Sequence, residues 1–159
     1  MATMIIIIPL LMAIAPALVL LFYFYKQDYA KPEPKKLVLK IFFLGILSTI
    51  PAIILELIVS RFHVIFQFSP ILYFAFDAFI VAALSEEFIK MSVVRKFAFN
   101  NSAFDEVMDG IIYTIIASLG FACMENILYV MNHGISTALL RAFTAVPLHA
   151  VCSGIMGYY

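Results

Sequence analysis

The chain is 159 residues long, 65% of its residues are hydrophobic, and its mean hydropathy is +1.07. A soluble domain of this size could not bury that much apolar surface, so the composition excludes an ordinary soluble fold and indicates a membrane protein. Ten basic and ten acidic residues cancel to zero formal charge, which argues against a nucleic-acid partner because phosphate binding needs a basic surplus.

Five apolar runs are long enough to cross a bilayer, whose hydrocarbon core of about 30 Å takes roughly 20 helical residues. We predict spans near 4–25, 37–60, 70–93, 107–131 and 136–159. No low-complexity tract or internal repeat divides them. The sequence therefore predicts an all-α, polytopic transmembrane helical bundle that forms a single integral membrane domain over residues 1–159.

Basic residues collect on one side of this predicted bundle, and they mark the cytoplasmic side of membrane proteins. The connector at residues 26–36 carries four lysines, and the connector after the third span carries Arg95 and Lys96. The connectors on the opposite side offer only Arg61. We therefore predict a multi-pass protein of the cell membrane whose N-terminus is extracytoplasmic.

The end of the chain is also apolar. It stops in the stretch Gly154–Tyr159, with no basic anchor after it. We expect the natural polypeptide to continue into further spans.

Three predicted spans carry ionisable side chains at membrane depth, where a charge is costly unless it is paired or solvated. Glu86 and Glu87 follow the apolar run 71–84, Glu125 lies within the fourth span, and His149 lies within the fifth. Two adjacent carboxylates in a low dielectric cannot both ionise cheaply, so the pair would supply one base and one acid. We predict these four residues as the catalytic set for acid–base or metal-assisted hydrolysis.

Five polar residues are predicted to support this set: Lys90, Asp109, Tyr113, Asn126 and Arg141. Lys90 follows Glu86 by four residues and shares its helix face. Asp109 and Tyr113 also share a face, although an acid near a helix start, such as Asp105 or Asp109, can act as a cap instead. The Asn126 side chain offers both a donor and an acceptor.

Two intramembrane acids stay outside the predicted set. Asp77 points away from Glu86 on the same helix and receives no role, and interface exposure is a sufficient explanation for Glu56. Along straight, untilted helices Glu125 would lie about 10 Å or more from Glu86. A shared site therefore needs tilt, a deeper helix or a water-filled cavity; otherwise the Asp109 face lies nearer to Glu86.

Together these residues resemble the PrsW family of intramembrane proteases, which is related to the CAAX-prenyl-protease and bacteriocin-processing (CPBP) group. The resemblance runs from the third span to the end of the chain and is carried by Glu86–Lys90, Phe104–Tyr113, Gly120–Tyr129 and Arg141–Ala150. It implies a multi-span helical peptidase, with its protease core in 70–159, that cuts membrane-bound proteins carrying a transmembrane segment. In some members the substrate is an anti-sigma factor, which is cleaved on the outer side as the first of two cuts.

In the wider group the double glutamate activates water, and the motifs Phe-xxx-His/Arg and His-xxx-Asn complete the site. Here the second motif runs from Phe121 to Glu125, with glutamate in place of the histidine. The third runs from His149 to Ser153, with serine in place of the asparagine. These departures leave open a metal-free glutamic protease and a metalloprotease.

The two mechanisms use the same residues differently. In the metal-free form Glu86 takes a proton from water, His149 with Asn126 stabilises the oxyanion, and Glu87 or Glu125 protonates the leaving amine. In the metal form Glu86, Glu125 and His149 are ligands, and Glu87 is the base. The chain lacks the His-Glu-xx-His spacing of many zinc sites. We therefore favour the form without a cofactor and keep a divalent metal such as zinc as the alternative.

Functions from two other classes fit the same charges less well. A proton-coupled transporter or channel fragment also places carboxylates and histidine inside helices. Transport folds, however, usually show broken helices and repeated halves, and neither is evident in this sequence. A non-enzymatic membrane scaffold would not need this concentration of glutamates.

Overall fold

The computed structural model describes residues 2–27 and 31–159, and across those residues every regular element is helical. The elements are α1 (Ala2–Gln27), α2 (Lys35–Val59), a 3₁₀ segment (Ser60–Phe66), α3 (Pro70–Phe76), a π-helical segment (Asp77–Leu84), α4 (Ser85–Phe97), α5 (Val107–His133), α6 (Ile135–Phe143) and α7 (Ala145–Tyr158). The predicted all-α membrane bundle is confirmed.

Four of the described helical stretches are long and apolar enough to cross a membrane: Ile7–Gln27, Lys35–Phe66, Val107–His133 and Ile135–Tyr158. The third predicted span, near 70–93, is not among them, because it carries four charged side chains. It is nevertheless helical from Pro70 to Phe97, and its α4 part contacts α2, α5 and α7. The five predicted spans thus correspond to four apolar stretches and one charged helix.

The charged helix consists of α3, the π-helical segment and α4 in one uninterrupted run. Because it extends to Phe97 rather than ending near residue 93, Glu86 lies near its middle. The hydroxyl of Ser85 donates to the carbonyl of Ile80, five residues earlier, at 3.3 Å. π-helical turns are rare in proteins, and those that exist are often found at functional sites.

Helix α5 forms the centre of the bundle and contacts α1, α2, α4, α6 and α7. It approaches α2 so closely that a Cβ added to Gly120 would collide with the carbonyl oxygen of Phe42. A Cβ added to Gly45 would likewise collide with the carbonyl of Ala117. Small residues permit such close backbone contacts between membrane helices. The contact holds α2 against the helix that carries Glu125.

The two connectors rich in basic residues lie at the same end of the bundle. Lys31 in the first connector pairs with Asp105 in the second, and this hydrogen bond holds the pKa of Lys31 above its usual range. The buried Glu33 accepts a hydrogen bond from the hydroxyl of Tyr113 on α5. The shared end fits the predicted topology, whereas the side of the membrane on which it lies stays a prediction.

Candidate active site

Lys90 on α4 is a fully buried lysine at the centre of the charged residues. Its Nζ lies 2.9 Å from Glu86 Oε2 and 2.9 Å from Glu87 Oε1. These two glutamates precede Lys90 by four and three residues on the same helix. The Nζ also lies 2.9 Å from His149 Nδ1 and 4.3 Å from the ring centre of Phe121. Because these contacts reach both glutamates and the histidine, Lys90 connects α4 to α7.

His149 on α7 joins the two halves of the site. Its Nδ1 faces Lys90, and its Nε2 lies 2.9 Å from Oε2 of Glu125 on α5. Its backbone carbonyl accepts a hydrogen bond from the buried Ser118 hydroxyl at 3.0 Å. The ring is therefore oriented from both nitrogens, while α5 holds the backbone behind it.

Arg141 on α6 provides the second cation. Its Nη2 lies 2.7 Å from Glu125 Oε2, an ion pair whose alignment is poor for a hydrogen bond. Its Nε donates to Asn126 Oδ1 at 2.7 Å, and its guanidinium lies 4.1 Å from the ring centre of Tyr129. Asn126 is buried and donates through Nδ2 to the Ala13 carbonyl of α1 at 3.3 Å. Both ends of the Asn126 amide thus have protein partners.

The predicted glutamates and histidine lie together. One ligand atom from each of Glu86, Glu125 and His149 falls within 4.8 Å of the others. The structure therefore has the shared site and not the separation of about 10 Å or more that straight, untilted helices would give. Their side chains keep 13% to 19% of their surface exposed. The cluster is therefore largely enclosed by the helices.

Two predicted supporting residues lie elsewhere. Asp109 accepts hydrogen bonds at 2.7 Å from the backbone amides of Asp105 and Glu106, so it closes a capping box at the start of α5. Tyr113 bonds Glu33 at the end of the bundle where the basic connectors meet. We also considered that the Asp109 face, rather than Glu125, lies next to Glu86. The structure instead places Glu125 next to Glu86.

Two residues received no supporting role from the sequence, Ser153 and Glu56. Ser153, which takes the place of the asparagine in the third motif four residues after His149, donates to Glu87 Oε2 at 2.6 Å. Glu56 lies within electrostatic range of Glu86 and Glu125. Its signal is the helical spacing that places Glu56 on the face of α2 shared by buried Thr49. Interface exposure is therefore an incomplete account of Glu56.

Asp77, to which no role was assigned, has a partner outside the cluster. Its Oδ1 lies 3.0 Å from His63 Nε2 in the 3₁₀ segment, and the His63 ring stacks on Tyr73. The contact ties the beginning of the π-helical segment to the 3₁₀ segment that follows α2. We assign this pair to local structure.

One cavity among the described residues lies away from the glutamate cluster. It is lined by residues that include Arg95, Phe104, Asp105 and Tyr159, at the end where the basic connectors meet. None of the clustered glutamates lines it. The hydrolytic hypothesis therefore rests on the cluster and not on this cavity.

An all-α membrane bundle in which three glutamates, two cations and a histidine converge inside the helices has the groups of a hydrolytic membrane protein. Residues 33–159 match the family model described as PrsW family intramembrane metalloprotease. The chain therefore belongs to the PrsW family, as the resemblance of its motifs predicted.

Curated relatives named Protease PrsW support this assignment. The chain is 42% identical over 146 residues to the protein of Geobacillus kaustophilus, and this match covers 92% of the chain and 62% of the relative. It is 37% identical over 150 residues to the protein of Bacillus subtilis, covering 92% of the chain and 64% of the relative. For Clostridioides difficile the identity is 33% over 153 residues, covering 94% and 63%. The chain thus spans less than two thirds of the length of these relatives, and no solved structure matches it.

Proposed function

We propose that the protein is an intramembrane peptidase that hydrolyses peptide bonds of membrane-bound proteins. The observation that carries this proposal is the convergence of Glu86, Glu125 and His149 within 4.8 Å inside the helical bundle. Membership of the PrsW family supports it. We further propose that residues 1–159 form one helical domain with its catalytic residues in 70–159, as part of a multi-pass protein with an extracytoplasmic N-terminus.

The metal-free mechanism begins with Glu86 as the base. Glu86 removes a proton from water, the hydroxide oxygen bonds to the scissile carbonyl carbon, and the carbonyl oxygen becomes an oxyanion as its double bond opens. His149, whose Nδ1 faces Lys90 and whose Nε2 lies 2.9 Å from Glu125 Oε2, is our candidate to stabilise the oxyanion, through an Nε2–H donor shared with Glu125. Asn126 is a weaker candidate than its sequence position suggested, since its amide already binds Ala13 and Arg141.

Collapse of the intermediate completes the reaction. The carbonyl re-forms, the carbon–nitrogen bond breaks, and the proton that Glu86 took from water reaches the leaving amine through Glu87 or Glu125. Ser153 holds one oxygen of Glu87, and Arg141 pairs with Glu125. Both carboxyls therefore have partners that keep them oriented toward the cluster.

The alternative mechanism uses a divalent metal, and the family description, which reads metalloprotease, favours it. Oxygen and nitrogen donors of this kind suit zinc, and the three atoms within 4.8 Å are close enough to be considered together, so the donor set fits in type. Glu86, Glu125 and His149 would hold the ion, and Glu87 would be the base. When bound, the metal would supply a Lewis acid that polarises the carbonyl and activates water.

For the substrate we propose a membrane protein with one transmembrane segment. An anti-sigma-factor-like protein, cut on the outer side in the first of two steps, is the form that the family resemblance implies. The two cations of the site are already paired with its own carboxylates. Recognition of the substrate is therefore expected to depend on its apolar segment more than on acidic side chains.

The test is cleavage of a tagged single-span substrate of this type, co-expressed with the full-length protein. Glu86→Ala, Glu87→Ala and His149→Ala should each reduce cleavage by about 10²-fold or more, because each removes a group that moves or holds a proton. Asp105→Ala, an exposed carboxylate at the far end of the bundle, is the matched control. Normal cleavage by the three variants, at equal membrane levels, would refute the proposed site.

A further inference from the structure

The Lys90 ammonium has no donor left over. A charged lysine amine carries three N–H donors and no acceptor. Its three close partners, each at 2.9 Å, are Glu86 Oε2, Glu87 Oε1 and His149 Nδ1. Because the lysine only donates, Nδ1 of His149 must be the acceptor in its bond to Lys90.

This assignment determines where the proton of the His149 ring lies. A neutral imidazole has one N–H, so a ring that accepts at Nδ1 carries its proton at Nε2. Nε2 then donates to Glu125 Oε2, 2.9 Å away. The lone pair of Nδ1 is occupied by Lys90, and Nε2 has none to offer.

A metal ion needs one of these two lone pairs. Ligation at Nε2 would move the ring proton to Nδ1, where it would face the donor-only ammonium. Ligation at Nδ1 would require Lys90 to leave His149. From this geometry we infer that Lys90 and a divalent metal exclude each other at His149, so that Lys90 is the built-in cation of the site.

The inference concerns the site of the proposed function and rests on that proposal in no other respect. It makes a claim about metal binding that can be measured without any cleavage assay. A failure of this claim would leave the peptidase proposal standing in its metal-assisted form. A failure of the peptidase proposal would leave the competition between Lys90 and metal unaffected.

The experiment is a calorimetric zinc titration of detergent-purified, chelator-washed protein. Lys90→Met keeps the length of the side chain but removes its donors, and it should bind zinc at least about 10-fold more tightly than the wild type, since a neutral side chain no longer competes. The gain should disappear in Lys90→Met combined with His149→Ala. Lys40→Met is the matched control, because Lys40 lies near the ring of Phe97 outside the cluster, and it should titrate like the wild type.

Tight stoichiometric zinc binding by the wild type, unchanged in Lys90→Met, would overturn the inference. A measurement on unmodified Lys90 keeps the inference testable if that variant does not fold. With His63 and His133 replaced by Gln, His149 is the single histidine of the described chain, and its ring nitrogens can be distinguished by ¹⁵N NMR. We expect the proton on Nε2, and a proton on Nδ1 would also overturn the inference.

Discussion

At the scale of single residues, the contacts of Arg141 explain the spacing of the segment from Glu125 to Tyr129. Glu125 and Tyr129 are four apart on α5 and share a face, and Asn126 lies beside them. All three contact Arg141, through an ion pair, a ring face and a hydrogen bond. Arg141 is thereby held against Glu125, the partner of His149. Tyr129 thus acts on the site through Arg141 as a positioning residue.

We predict that Tyr129→Leu lowers kcat for cleavage by roughly 2- to 30-fold while KM stays close to the wild-type value. The ring face stabilises the guanidinium by about 0.5–2 kcal/mol, and its loss frees Arg141 without altering the surface that receives the substrate. Steady-state kinetics of the two proteins on one substrate would measure the effect.

Tyr129→Phe is the matched control for this prediction, because it keeps the ring and removes the hydroxyl. Its kcat should stay within about twofold of the wild type, since the cation–π contact is intact. If Tyr129→Phe and Tyr129→Leu lower kcat equally, Tyr129 contributes through its hydroxyl and not through its ring face.

The sequence identified Glu86, Glu125 and His149 because charge inside an apolar span has few structural explanations. It could not separate Asp109 from this group. An acid in the first turn of a helix has the same sequence signature whether it caps the helix or lines a site. The partner of Asn126 was also out of reach, since Ala13 lies 113 residues away and contributes only a backbone carbonyl.

At the scale of helices, the crossing of α2 and α5 determines how closely the two backbones approach. A methyl group added at Gly45 or at Gly120 would overlap a backbone carbonyl of the opposite helix. Neither backbone can yield easily, because each is held in a regular helix. The crossing is therefore intolerant of even small side chains.

We predict that Gly120→Ala lowers the stability of the bundle by about 1–3 kcal/mol, because the added methyl group overpacks the contact with Phe42. Thermal unfolding in detergent, followed by helical circular dichroism, should show a reduced Tm.

Gly154→Ala provides the comparison within the same fold. Its added Cβ would meet the Ile115 side chain at 3.1 Å, which can move, rather than a backbone carbonyl. The helix propensity of Ala exceeds that of Gly by about 1 kcal/mol, so Gly154→Ala should be neutral or stabilising. An equal loss of Tm in the two variants would contradict the backbone explanation.

Helix positions were predictable to within a few residues because length and hydropathy set them. The π-helical segment Asp77–Leu84 was not, since a uniformly apolar run has no periodicity that distinguishes one helical winding from another. The extension of α4 to Phe97 was missed because basic residues near its end read as a connector.

At the scale of the whole molecule, the ion pair between Lys31 and Asp105 joins two connectors that must lie on the same side of a membrane. We predict that this is the cytoplasmic side, because both connectors carry lysine or arginine. Single cysteines placed at residue 36 and at residue 101 should be protected from an impermeant thiol reagent in intact cells and labelled after lysis.

A cysteine at residue 134, at the opposite end of α5, should show the reverse pattern in the same assay. The native Cys123 and Cys152 are to be replaced by Ala first, so that only the introduced thiol reports. Labelling of residue 36 or 101 in intact cells would invert the topology without changing the fold.

The composition of the cluster also has a consequence for the protons of the reaction. Glu86, Glu87 and Glu125 face only two permanent cations, Lys90 and Arg141, so with a neutral His149 the group has one carboxyl more than it can balance. An uncompensated charge inside a bundle is costly, so a route that adds no net charge to this group of side chains is favoured. Hydrolysis by the metal-free route takes one proton from water and gives one to the amine. Cleavage would then leave the proton inventory of the site unchanged, and each turnover could proceed without drawing protons across the bilayer.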